Sequence, residues 1–193
     1  DSFVARVRIV KPEHTDDPAV AGIFEWVTQM EGSVPNHFFV EMNFPEFFVA
    51  KLGATKVLWE AGELTMDEIQ HVGILVSKDN GCAYCTAAFC TILNYGLGAA
   101  QDYVAGLAEQ GISAVESPRL VAILNYALKV NRDPAGVQDS EVDALRQHGL
   151  TDKGLVQLTH VVSDFASYNR LNLALQTDYD YQDLWRNAAF QPG

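Results

Sequence analysis

Residues 80–90 read NGCAYCTAAFC, and no other part of the chain carries chemistry that is as recognisable. Cys82 and Cys85 lie one helical turn apart, just after a turn and at the start of an apolar helix. Asp79 or Asn80 can cap that helix, and the unpaired N–H groups of its first turn favour a thiolate at Cys82. A nucleophilic thiol with a second thiol in disulfide reach is typical of dithiol redox chemistry.

The composition indicates one domain and excludes several classes of partner. Because the 193 residues are 48% apolar and 20% charged, we predict a single domain over residues 1–193 with a sizeable core. A net charge of −12 with 13 basic residues leaves no basic surface for nucleic acid or an anionic membrane. No segment approaches the roughly 20 apolar residues of a membrane-spanning helix, and the first residues do not resemble a signal peptide. Three cysteines, an odd number, favour a reducing cytoplasm over a secreted disulfide scaffold.

The spacing of apolar residues predicts an all-α fold, a bundle of several helices. Helices are expected at residues 18–30, 45–62, 66–78, 81–97, 99–110, 118–130, 140–148 and 152–175. Residues 1–17 form an N-terminal arm, within which residues 3–10 alternate as an extended segment that could lie on a partner subunit. Residues 181–193 form a C-terminal tail that could dock on the body of the protein or on a neighbouring chain.

Local signals also predict where helices begin and which one is central. Thr65 and Glu68 have the spacing of a capping box, Ser117 precedes a proline at the first helical position, and Thr151 can cap the last long helix. Residues 72–76 are apolar on every side, which indicates a helix buried among others just before the cysteines.

Four segments of the sequence carry a resemblance to a known superfamily. They read LTMDEI at residues 64–69, NGCAYC at 80–85, LTD at 150–152 and FASYNRLN at 165–172. Over about residues 34–180 the chain resembles the alkylhydroperoxidase D and carboxymuconolactone decarboxylase superfamily, and more narrowly its uncharacterised peroxidase-related branch. The resemblance implies an all-helical fold that assembles into symmetric homo-oligomers. It also implies that a Cys-x-x-Cys pair reduces a hydroperoxide or another small molecule and is recharged by an external dithiol reductant.

The sequence leaves open which cysteine reacts first. The resemblance implies that Cys85 attacks the hydroperoxide to form a sulfenic acid and that Cys82 then resolves it to a disulfide. The electrostatics of the helix start instead favour Cys82 as the thiolate.

The proton relay that the resemblance implies is missing from this chain. The superfamily places a glutamate twelve residues before the first cysteine and a histidine four residues after the second, and alkylhydroperoxidase D adds a histidine between them. Those positions here hold Gln70, Phe89 and Tyr84. Because losing a positioned acid or base typically costs about 10²- to 10⁴-fold in rate, weakened peroxidase activity is expected. His71 or Tyr84 could supply a substitute, although a hydrogen-bonded structural histidine and a packed tyrosine are the simpler interpretations.

Structural roles are the alternative for all three cysteines. Buried cysteine is a common small hydrophobe, and we expect Cys90 in the core because it lies on nearly the opposite side of the helix from Cys85. A zinc site would need Cys82, Cys85 and a distant histidine. Without a second Cys-x-x-Cys or a paired histidine motif, we expect no metal and no cofactor.

The alternative function is a non-catalytic, oligomeric ligand-binding or interaction protein on the same fold. Gln70 and Phe89 support it, since they remove the acid–base groups of the relay. An aromatic cluster between residues 38 and 48, next to His37, could line a hydrophobic pocket or a subunit contact, although core packing is the default interpretation.

Overall fold

The computed structural model describes residues 5–12 and 16–190, and within these ranges the chain forms helices and no strand, which confirms the all-α prediction. The α-helices of the described ranges are α1 (Pro18–Glu31), α2 (Asn36–Glu41), α3 (Pro45–Glu60), α4 (Met66–Asp79), α5 (Ala83–Thr91), α6 (Gln101–Gln110), α7 (Pro118–Arg132), α8 (Asp139–Gln147), α9 (Asp152–Ala174) and α10 (Asp183–Ala189). A π-helical turn, Ile92–Gly96, follows α5, and 3-10 turns lie at Gly111–Ala114 and Pro134–Gly136. No helix in these ranges is both long enough and apolar enough to cross a bilayer.

Helix α4 is the centre of the bundle. Residues 68–77 of this helix are all buried, and α5, α7 and α9 pack around it. The apolar run at residues 72–76 predicted this central position, and the structure confirms it. Because α5 follows α4 after a short turn and packs directly on it, the cysteines lie deep inside the protein.

Two of the predicted helix caps, those at Thr65 and Ser117, are present in the structure. Thr65 Oγ1 accepts from the Glu68 N–H at 3.1 Å, and the Glu68 carboxylate accepts from the Thr65 N–H at 2.9 Å, which completes a capping box. Ser117 caps α7 by accepting an N–H of its first turn. The prediction that Thr151 caps α9 is wrong, because its hydroxyl and its N–H both donate to the Glu63 carboxylate. That contact fastens the start of α9 to the loop between α3 and α4.

The described part of the N-terminal arm lies on its own chain. The Arg6 N–H donates to the Leu175 carbonyl at 2.6 Å, and the Val10 N–H donates to the Phe39 carbonyl at 3.0 Å. Residues 5–12 are therefore anchored at the end of α9 and on α2. The remainder of the predicted extended segment, residues 3 and 4, lies outside the described residues.

The C-terminal tail contributes a helix to the body. Helix α10 packs on α5 and α6, and Trp185 at its centre is 0% exposed within the main hydrophobic core. The described part of the tail, up to residue 190, thereby covers α5, the helix that carries the cysteines. Residues 191–193 of the predicted tail lie outside the described ranges.

Candidate active site

The turn between α4 and α5 is fixed by a cluster of amide side chains. Gly81 has a φ of +75°, in the left-handed region that favours glycine. Asn80 Nδ2 donates to Asn131 Oδ1 of α7 at 3.1 Å and to Asn169 Oδ1 of α9 at 2.9 Å. Asn169 in turn donates to Ser77 Oγ of α4 at 3.0 Å. Because these bonds join three helices, the segment that leads into the cysteine pair has a fixed position.

We expect Gly81→Ala to destabilise the protein by about 1–2 kcal/mol, because a residue with a Cβ is strained in the left-handed conformation. No heavy atom lies within 4 Å of the position that the Cβ would take, so the loss would come from backbone strain and not from a clash. Denaturant unfolding measures the effect. Gly53→Ala in α3 is the matched control, since its Cβ also meets open space and alanine should favour the helix. Equal stability of Gly81→Ala and the wild type would contradict the expected strain.

Cys82 and Cys85 form a disulfide, with 5.4 Å between their Cα atoms. Cys82 is itself the N-cap of α5, since its Sγ accepts from the Cys85 N–H at 3.2 Å. The prediction that Asp79 or Asn80 caps this helix is therefore wrong. Both cysteines are buried, with exposed fractions of 1% and 3%. Cys90 is a free, buried thiol, and burial raises its pKa to about 12, which agrees with a core role.

Cys85 lines a cavity, and Cys82 does not. The cavity has a volume of about 60 Å³ and is bordered by α1, α2, α3, α5 and α9. Aromatic rings supply much of its wall, among them Trp26, Phe38 and Phe165. Since an apolar cavity of about 150 Å³ accommodates benzene, this one admits a small reactive group without change, whereas a ring would require side chains to move.

Asn172 of α9 links the cavity wall to the Cys85 sulfur. Its Nδ2 lies 3.4 Å from Cys85 Sγ and donates to the Tyr168 carbonyl at 3.1 Å. Its Oδ1 is buried and has no hydrogen-bond partner among the described residues. A donor directed at the sulfur favours the thiolate over the thiol. The Asn172 amide is thus placed to stabilise a thiolate at Cys85, as the Cys85 N–H is at Cys82.

Gln70 and Phe89, at two of the positions where the superfamily has its proton relay, cannot exchange protons with Cys85. Gln70 is 0% exposed, it does not line the cavity, and its amide has no hydrogen-bond partner among the described residues. Phe89 does line the cavity, where its ring packs on Phe165 with 4.4 Å between centroids. It also covers Gly73 of α4, at which an added Cβ would lie 2.4 Å from the ring. A phenyl ring and an amide can neither give nor take the proton that the relay would handle.

Gln70→Leu is expected to raise the free energy of unfolding by roughly 1–3 kcal/mol, because leucine removes a buried amide that no group in the described part of the chain satisfies. Denaturant or thermal unfolding measures the change. Gln157→Leu is the matched control, since the buried Gln157 amide accepts from two backbone N–H groups and donates to the Leu58 carbonyl at 2.6 Å. The control should lose stability. A loss of similar size at Gln70 would show that its amide is bonded.

The two substitute groups considered from the sequence behave differently. His71 does not line the cavity. Its Nε2 lies 2.7 Å from the Tyr103 hydroxyl and its Nδ1 2.7 Å from the Asp67 carbonyl, which favours a structural histidine. Tyr84 does line the cavity, and its hydroxyl accepts from the His37 N–H at 3.1 Å. Burial raises the pKa of Tyr84 well above that of a free tyrosine, so this phenol is a poor acid near neutral pH.

Comparison with known proteins gives a likeness in structure only. No family model matches the sequence, and no curated protein matches it. The structure of the alkylhydroperoxidase AhpD core of an uncharacterised peroxidase-related protein from Ralstonia eutropha JMP134 is 24% identical over 100% of both chains, with a TM-score of 0.82. This chain has the alkylhydroperoxidase D fold. The fold implied by the four sequence segments is thereby confirmed.

Two further solved structures share the alkylhydroperoxidase D fold with this chain. An uncharacterised peroxidase-related protein from Silicibacter sp. TM1040 is 22% identical over 90% of this chain and 95% of its own, with a TM-score of 0.75. The debrominase Bmp8 is 18% identical over 98% of this chain and 97% of its own, also with a TM-score of 0.75. A variant of that debrominase has been solved in complex with 2,3,4-tribromopyrrole.

On this alkylhydroperoxidase D fold, the cavity has an acidic group that no sequence pattern indicated, Glu31, and the histidine next to the predicted aromatic cluster, His37. Glu31, the last residue of α1, lines it, and the Tyr181 hydroxyl donates to Glu31 Oε1 at 2.5 Å. Burial raises the pKa of Glu31 to about 7, against the opposing effects of Tyr181 and His37, and Asp180 adds to the rise. His37 also lines the cavity, with Nδ1 2.9 Å from Glu41 Oε2.

A polar chain leads away from another part of the cavity wall. Thr55 donates to Asp164 Oδ2 at 2.8 Å and is 2.7 Å from the Tyr168 hydroxyl, which therefore donates to it. Asp164 pairs with Lys51, whose ammonium lies 4.3 Å from the centre of the Tyr168 ring. Burial raises the pKa of Tyr168 well above its usual range, so its hydroxyl keeps its proton. Across the described residues, no group of three or more His, Cys, Asp or Glu side chains is placed to hold a metal ion.

Proposed function

We propose that this protein is a thiol-dependent oxidoreductase in which Cys82 and Cys85 cycle between dithiol and disulfide while reducing a small hydroperoxide. The observation that carries the proposal is that Cys85 is bonded to Cys82 and also lines an apolar cavity of about 60 Å³ inside the bundle. The hydroperoxide group fits beside the sulfur, and the aromatic wall suits an organic substituent. The peroxidase-related fold is in keeping with this chemistry.

In the proposed reaction, Cys85 attacks and Cys82 resolves. The Cys85 thiolate attacks the terminal oxygen of the hydroperoxide, the O–O bond breaks, and the sulfur becomes a sulfenic acid while an alcohol leaves. Cys82 then attacks that sulfur, and the hydroxyl leaves as water with the proton of the Cys82 thiol. Two thiols are oxidised to one disulfide, and one hydroperoxide is reduced to alcohol and water. Access to the cavity and the Asn172 donor support Cys85 as the attacking group.

An external dithiol closes the proposed cycle by reducing the disulfide. Such a partner is available in a reducing compartment, and we place the protein in the cytoplasm on that ground. We also propose that the chain assembles into a homo-oligomer. Light scattering on the purified protein tests the assembly, and a monomer at all concentrations would count against it.

The test is to mix fully reduced protein with a small organic hydroperoxide and to follow the Cys82–Cys85 disulfide by intact and peptide mass spectrometry over time. Rapid stoichiometric closure of the disulfide, with one alcohol formed per bond, is the expected result. Cys90→Ser should behave as the wild type does, because Cys90 is buried away from the pair. Persistent free thiols in a folded protein would overturn the proposal and leave the non-catalytic ligand-binding protein as the better account.

A second candidate function is reductive removal of a halogen from an aromatic ring. Aromatic side chains line the cavity at Cys85, and the debrominase structures match nearly the whole chain. In that reaction, two thiols and a brominated ring give a disulfide, the ring with hydrogen in place of bromine, and hydrogen bromide. Bromide release from 2,3,4-tribromopyrrole, equal in amount to the disulfide formed, would favour this substrate class over hydroperoxides.

A further inference from the structure

Glu31 and Cys85 line the same small cavity, although they come from opposite ends of different helices. Glu31 ends α1, and Cys85 lies in the first turn of α5. No carboxylate or histidine occupies the relay positions beside the cysteines, which hold Gln70 and Phe89. The cavity therefore has a carboxyl group, Glu31, that comes from α1 and not from the relay positions beside the cysteines.

The position of Glu31 is fixed relative to the helix that carries Cys85. Helix α1 is capped after Glu31 by Gly32, whose φ is +87°, and its last turn packs on the π-helical turn that follows α5. At Gly96 in that turn, an added Cβ would lie 2.7 Å from the Met30 carbonyl oxygen, so the two backbones are in close contact. Because the π-helical turn continues directly from α5, Glu31 and Cys85 belong to one packed unit.

Titratable groups from three other segments surround the Glu31 carboxyl. Tyr181 and Asp180 come from the segment between α9 and α10, His37 comes from α2, and Tyr84 comes from α5. The Tyr181 ring packs on the Tyr84 ring with 5.2 Å between centroids. The Asp180 carboxylate accepts from the N–H of the first residue of α2 at 2.9 Å. Of these groups, Glu31, His37 and Tyr84 line the cavity, Asp180 and Tyr181 adjoin Glu31, and His37 also pairs with Glu41.

We propose that Glu31 is the proton shuttle of the site, a role that rests on the proposed redox function. The Glu31 carboxylate takes the proton of the Cys85 thiol, which leaves a thiolate. The thiolate attacks the terminal oxygen of the hydroperoxide, the O–O bond breaks, and the protonated Glu31 returns the proton to the departing alkoxide. Glu31 ends as the carboxylate in which it began, and the alcohol carries the proton.

The protonation of Glu31 suits this role. Burial raises its pKa to about 7, so near neutral pH the carboxyl can both accept and give a proton. Below pH 7 the carboxyl is protonated and cannot accept from Cys85. The rate of disulfide closure is therefore expected to rise as the pH passes through about 7. It should fall again at alkaline pH, where the shared proton is lost from both groups.

The experiment measures the rate of disulfide closure by hydroperoxide from pH 5 to 10 in the wild type, in Glu31→Gln and in Glu25→Gln. We expect Glu31→Gln to react about 10²- to 10⁴-fold more slowly at neutral pH. The rise with a midpoint near pH 7 should be absent from its profile, because that midpoint is assigned to the Glu31 carboxyl. Glu25→Gln, on an exposed position of the same helix, should match the wild type. Failure of the wild type to react at all would instead count against the redox function itself.

Tyr181→Phe provides a second and independent variant. Its hydroxyl stabilises the ionised carboxylate, so its removal should raise the pKa of Glu31 and move the midpoint of the rate profile upward. If the midpoint of the pH–rate profile were unchanged in both Tyr181→Phe and Glu31→Gln, whatever their overall rates, the proposal that Glu31 is the proton shuttle would be overturned. A Glu31→Gln variant as fast as the wild type would overturn it as well.

Discussion

Cys82→Ser is expected to stop after the first chemical step, with Cys85 held as a sulfenic acid, whereas Cys85→Ser should not react with hydroperoxide at all. The physical reason is that the hydroperoxide can reach Cys85 through the cavity and that a neighbouring donor can stabilise its thiolate. Cys85 lines the cavity and lies 3.4 Å from the Asn172 amide, while Cys82 is outside the cavity wall and caps α5. A reagent that traps sulfenic acids, followed by peptide mass spectrometry, assigns the oxidised sulfur.

The two serine variants are matched, because each removes one sulfur from the same buried pair. The sulfenic acid should appear in Cys82→Ser and be absent from Cys85→Ser. The loss of reaction with hydroperoxide in Cys85→Ser should therefore be complete. A sulfenic acid on Cys82 in the Cys85→Ser variant would contradict the assignment. It would favour the nucleophile that the electrostatics of the helix start alone predicted.

Trp185→Ala is expected to destabilise the protein by about 3–5 kcal/mol, the usual cost of removing a large aromatic side chain from a core. Trp185 is 0% exposed, and its helix α10 packs on α5 and α6. For a chain of this size, the melting temperature should fall by roughly 6–20 °C. Thermal unfolding followed by circular dichroism measures the change.

Leu184→Ala is the matched control, because it truncates the neighbouring residue of the same helix, which is 37% exposed. It should cost less than about 1 kcal/mol. If Trp185→Ala were no more destabilising than this control, α10 would not be docked in solution. The docked tail also carries Tyr181 to Glu31, so Trp185→Ala should slow disulfide closure as well.

Most of the helical fold was predictable from the sequence because its signals are local. Apolar spacing and caps such as Thr65 and Ser117 fixed eight helices, and the apolar run at residues 72–76 identified the central one. Helices α2 and α10 were missed, since they have six and seven residues and begin without a side-chain cap. Helices this short depend on tertiary packing and have too few residues to establish a periodic pattern.

The site was predictable only where its residues are close in the sequence. The spacing of Cys82 and Cys85 indicated their pairing directly, and their flanking residues identified the fold. Glu31, Tyr181 and Asn172 lie far from them along the chain, and only the packing of α1, α9 and the tail brings them to the cavity. The sequence did not indicate a raised pKa for Glu31, because that shift arises from burial in the folded protein.

In the proposed cycle, burial of the disulfide would limit how fast a reductant restores the thiols. With exposed fractions of 1% and 3%, neither sulfur can meet an external dithiol until the surrounding helices part. Reduction then waits for an opening motion, and adding more reductant beyond a certain concentration should not accelerate it. At such reductant concentrations, the lifetime of the disulfide would depend on how often the bundle opens and not on the amount of reductant.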